Sequence, residues 1–69
     1  MQWIQFDSDI ARLIEAAQHE YAQELKAAGL SQPIEGWIER NAPRGKREWN
    51  VTAGFIQFLA EREVPFELL

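Results

Sequence analysis

Apolar residues in this chain repeat at helical spacing. Between residues 10 and 28, Ile10, Leu13, Ile14, Ala17, Tyr21, Leu25 and Ala28 recur mostly three and four apart. That is the stripe of an amphipathic helix, and Arg12, Glu15, His19, Gln23 and Lys26 take its other side. Asp7 and Ser8 stand where a side chain accepts from the free N–H groups of a first turn, whose positive end also suits acids. Gly29 follows the last periodic residue, as a left-handed closing residue does, and Leu30 can fold back on the last turn. The pattern predicts a helix over about 8–28.

Two shorter runs follow. Ser31-Gln32-Pro33 has the form of a helix start with proline at the first helical position. Ile34, Trp37 and Ile38 then share one side and Glu35, Glu39 and Arg40 the solvent side, up to the stop at Asn41-Ala42-Pro43. This predicts a helix over about 33–41. Thr52 caps a third, over about 53–63, with Phe55, Phe58 and Leu59 on its apolar side and Val64-Pro65 at its end. The aromatic-rich stretches at 2–6, 47–51 and 64–68 are candidates for a small sheet. The expected class is mostly α, with an α+β form through that sheet as its variant and a three-helix bundle as the alternative.

Composition narrows the classes. A chain of 69 residues makes a single small domain, 1–69. Hydrophobic residues at 46 % and aromatics at 12 % are enough for a packed core. The absence of cysteine excludes disulfides and thiolate metal sites. With no long apolar run and no charged leader before an apolar segment, the expected location is the cytoplasm and no membrane partner is expected.

Catalytic and cofactor signatures are missing. Ser8, Ser31 and Thr52 sit at predicted helix starts, where capping occupies a hydroxyl, and His19 lies on the polar side of the first helix. Asp7-Ser8-Asp9 opens like a calcium loop, but the fifth, sixth and twelfth positions are Ala11, Arg12 and Gln18. No phosphate-binding glycine motif occurs. The expectation is a protein with no enzymatic activity, no cofactor and no metal.

Charge then singles out one segment. The net charge is −4, which argues against broad nucleic-acid binding. Residues 1–38 hold six acids and two bases, whereas Arg40, Arg44, Lys46 and Arg47 fall together with no acid between them. Trp37 and Trp49 flank this basic stretch, and Pro43 and Gly45 shape it. Arginine and lysine pair with carboxylates, and tryptophan is the side chain that most often anchors an interface. Arg40, Arg44, Lys46, Arg47, Trp37 and Trp49 are therefore the candidate partner-binding residues. The function expected is a small intracellular adaptor or inhibitor, of a kind common among phage and mobile-element proteins, that docks a protein with an acidic patch. The alternative is a nucleic-acid-binding regulator with a degenerate helix-turn-helix. Val64, Phe66, Leu68 and Leu69 near the end of the sequence are a second candidate contact, for a homodimer.

Overall fold

The structure, a computed structural model, describes residues 1–30, 35, 36 and 38–69. Strand β1 (Gln2–Asp7) leads through a 3₁₀ turn (Ser8–Ile10) into helix α1 (Ala11–Ala27). Strands β2 (Ile38–Arg40) and β3 (Lys46–Val51) form a hairpin, followed by helix α2 (Ala53–Glu61) and strand β4 (Glu67–Leu68). The sheet order is β2-β3-β1-β4 and every neighbouring pair is antiparallel. Two strand–helix–strand units interleave, which is the split βαβ arrangement.

The class is thus α+β, which corrects both the mostly α expectation and the three-helix bundle. The helix expected over 33–41 is the main error. Gly36 has φ +74, outside the helical region, and Ile38–Arg40 pairs with Glu48–Asn50 as a strand. A few apolar positions fit a strand as well as a helix, and the hydrogen bonds offered by β3 decide between them. Ser31–Ile34 and Trp37 lie outside the described residues. The described residues 35, 36 and 38–40 thus supply no helix for the helix-turn-helix alternative.

Alternation along β1 and β3 sends side chains to two faces. Ile4, Phe6, Trp49 and Val51 point to the side carrying both helices, where they join Ile14, Ala17, Phe55, Phe58, Leu59 and Val64 in one core. Phe6 meets Trp49 edge to face at 5.2 Å, and Tyr21 lies 5.1 Å from Phe58. Arg62 stacks 3.4 Å over Phe58 and bonds Glu20 and Glu24, tying α2 to α1.

The carboxyl end of α1 and the amino end of α2 follow their local chemistry. Gly29 at φ +75 donates to the Lys26 carbonyl and Leu30 to the Leu25 carbonyl, the paired bonds of a Schellman close. The expected cap at Asp7 is not made, because its carboxylate takes Lys46 of the facing strand at 2.5 Å instead. Thr52 does cap α2, accepting from the Phe55 amide at 3.2 Å. At the far end of α2, Glu63 donates to Ala60 and Val64 to Leu59, so Glu63 holds the left-handed position at φ +57. A residue with a Cβ is strained there. Glu63→Gly should therefore stabilise the protein by about 0.5–1 kcal/mol, raising Tm by about 3–6 °C in a thermal melt. An unchanged or lower Tm would contradict this account of the turn.

Candidate binding surface

The helices cover one face of the sheet only. The other face carries Trp3, Gln5 and Asp7 from β1, Lys46, Glu48 and Asn50 from β3, and Ile38 and Arg40 from β2. Among the described residues no element lies over it.

Arg40 runs across this face. Its guanidinium carbon sits 4.1 Å from the centre of the Trp3 ring, and its Nε donates to Glu48 at 2.6 Å. Gln5 donates to the other Glu48 oxygen at 2.9 Å. The Glu48 side chain is only 8 % exposed as a result, while that of Arg40 is 45 % exposed. A carboxylate on an open face is thus covered by its own partners. The Arg40 bond, with that from Gln5, outweighs desolvation and holds the Glu48 carboxyl below its usual range.

The remaining predicted site residues fall on other parts of the fold. Arg47 is on the helix side of β3, bonding Glu39 at 2.7 Å and lying 3.8 Å from Glu15. Trp49 is buried in the core and donates its indole N–H to the same Glu39 oxygen at 2.7 Å. Burial pushes the Glu39 carboxyl up, but the bonds from Trp49 and Arg47 prevail and hold it low. Lys46 is engaged by Asp7, whose bond raises the ammonium above its ordinary value. Arg44 stands exposed in the β2–β3 connection, in the turn closed by the Lys46 amide on Pro43. Trp37 is outside the described residues. The basic stretch is therefore largely matched within the chain: Arg40, Lys46 and Arg47 each face a carboxylate, and Arg44 makes no ion pair among the described residues.

Of the second candidate contact, Val64 is buried and Phe66 packs on the core, leaving Leu68 and Leu69 exposed. His19 is exposed on α1. Among the described residues no group of three or more potential metal ligands occurs. No described helix is long and apolar enough to cross a membrane. Trp3 is the surface residue that sequence reasoning passed over. The alternation in "QWIQFD" was the available signal, since it puts Trp3 opposite Ile4 and Phe6.

The depressed Glu48 carboxyl has a consequence in acid. A group whose folded pKa lies below its unfolded value adds stability above the unfolded value and loses it as the pH falls through the folded one. The reference value is 4.5, so the Glu48 contribution is present at neutral pH and fades below that point. Urea midpoints of the wild type should fall more steeply between about pH 5 and pH 3 than those of Arg40→Gln, in which the pair is already broken. Parallel curves would remove the Arg40–Glu48 pair as the cause.

The chain matches no protein-family model, no curated protein and no solved structure.

Proposed function

We propose that this protein works without catalysis, as an adaptor or inhibitor that docks another protein, one that presents an acidic group to Arg40, on the uncovered face of its sheet. The observation that carries the reading is Arg40, half exposed, lying over the Trp3 ring and anchored through Nε to a buried carboxylate. Such a pair is ordered before any partner arrives, so little side-chain freedom is lost on docking. Exposed Ile38 and Arg44 flank it on the same hairpin. Tryptophan and arginine are the residues most enriched where binding energy concentrates. Glu48, Asp7 and Glu67 occupy the same face as Arg40 and Lys46, which does not suit a phosphate backbone.

The test uses immobilised wild type beside Trp3→Ser/Arg44→Glu, incubated with nuclease-treated and untreated cell lysate. Any captured protein is then purified and its affinity for both forms measured. A partner that binds wild type directly and at least tenfold more tightly than the folded variant supports the reading. Equal binding to both forms overturns it, as does capture that disappears with nuclease.

A further inference from the structure

Arg40 spends one of its donors on its own chain and keeps the rest. Nε is taken by Glu48, and among the described residues neither terminal nitrogen is bonded. The Trp3 ring 4.1 Å beneath the guanidinium carbon and the Nε bond to Glu48 hold the group at two points, which restricts where the edge carrying the two Nη groups can turn. Two parallel N–H donors in a plane match the two oxygens of a carboxylate.

The surroundings select among anions. Among the described residues, the strands carry two cations, Arg40 and Lys46, and three acids, Asp7, Glu48 and Glu67, on the outer face. Lys46 is already engaged by Asp7. A string of phosphates or a run of acids would meet more negative than positive charge, whereas one carboxylate needs only the Arg40 fork. Next to that fork the surface is apolar. Ile38 is 46 % exposed two residues before Arg40, on the same face of the same strand. Alternate residues of a strand are about 6.6 Å apart, which is also the spacing of alternate side chains in an extended partner segment.

We infer that Arg40 is the receptor for a single Asp or Glu carboxylate in an extended segment of the partner, with an apolar residue two positions away resting on Ile38 and Trp3. This rests on the docking reading above and specifies the chemistry that the face recognises.

The test is an NMR titration of the whole chain with acetyl-Leu-Thr-Glu-Thr-Leu-amide, followed at the Trp3 indole N–H and the Arg40 Nε–H. The same peptide with Glu replaced by Gln, and a short oligothymidylate, are titrated alongside. The Glu peptide should bind at least tenfold more tightly than the Gln peptide, and oligothymidylate no more tightly than the Gln peptide. Arg40→Gln/Glu48→Gln, which removes the cation with its counter-charge, should abolish the Glu preference. Arg40→Lys, which keeps the charge without the fork, should lose most of it and serves if the double variant does not fold. Equal binding of the two peptides, tighter binding of oligothymidylate, or a preference that survives both variants overturns the carboxylate assignment. If that assignment fails while Trp3→Ser/Arg44→Glu still loses its partner, the docking face stands without it. If the partner is not lost, both fall.

Discussion

Gly36→Ala is expected to lower folding stability by roughly 2–5 kcal/mol, a large fraction of what a small domain possesses. Two independent costs meet at this position. The backbone sits at φ +74, where a Cβ collides with its own chain at about 1–2 kcal/mol. A Cβ at Gly36 would also lie inside the Trp49 indole, well under the 3.0 Å that real Cβ contacts keep. Neither party can give way easily. Trp49 is buried, packed edge-on against Phe6, and tethered by its indole N–H to Glu39. Overpacking of this kind typically adds about 1–3 kcal/mol.

Gly45 supplies the control. It has φ +82 but nothing within 4 Å of where a Cβ would be, so Gly45→Ala should cost only the conformational part, about 1–2 kcal/mol. Urea unfolding followed by tryptophan fluorescence compares the two variants. Near-ultraviolet circular dichroism of Gly36→Ala should show in addition a disturbed Trp49 environment. Equal losses in the two variants would mean that the approach of the Gly36 backbone to Trp49 is not the determinant.

The parts of this fold that were legible in the sequence are those decided within a few residues. The close of α1 at Gly29 and the Thr52 cap of α2 depend on chemistry within one turn and form as the sequence predicts, whereas of the α1 stripe Ile14 and Ala17 are buried and Leu13 stands exposed. The strand β2 did not announce itself, because three residues carry too short a pattern and their pairing is supplied by β3. "KREWNV" is poor in strand-forming residues at Lys46, Glu48 and Asn50, and those positions sit on the open face.

The pairing of charges in the candidate site was hard to read for the same reason. Four bases in loop-like sequence looked unopposed, although Glu48 and Glu39, which take Arg40 and Arg47, stand at the edges of the stretch, and the other counter-charges are distant in the chain. Lys46 meets Asp7 across 39 positions, and Arg47 reaches Glu15 on α1. Strand register brings these acids in, and no local reading contains it. Once they are in place, what the surface presents is Arg40 over Trp3, together with exposed Arg44, rather than a field of positive charge. This shifts the expected salt response. The four bases acting on duplex nucleic acid would give a log–log slope on the order of −3 to −4, whereas one neutralised arginine beside aromatic and aliphatic surface should show little.

Glu35, on the expected solvent side of the predicted second helix, is only 1 % exposed. Its carboxylate accepts from the Thr52 amide at 2.9 Å and from the Thr52 hydroxyl at 2.5 Å. Its backbone carbonyl accepts from the Gln18 side chain of α1. One residue of the α1–β2 connection thus grips both helices. Thr52 is the middle of a relay: it donates to Glu35 while its oxygen accepts from Phe55, so Glu35 orients the group that caps α2. An anion at the amino end of a helix is also favoured by the helix dipole.

Glu35→Ala strands a buried amide and a hydroxyl and loosens the cap, against which stands relief from burying a carboxylate. Lost donors cost about 1–3 kcal/mol and a lost cap about 1, so the loss expected is roughly 2–4 kcal/mol. Glu35→Gln keeps the shape, but its amide nitrogen must face one of the two Thr52 donors, and it should recover less than half of that loss. Thr52→Ala alone should cost about 1–2 kcal/mol. If the relay is one unit, Thr52→Ala should cost much less in the Glu35→Ala background, with a coupling of at least about 1 kcal/mol in a double-mutant cycle of urea unfolding. Strictly additive losses would mean that Glu35 stabilises the connection and Thr52 the helix, separately.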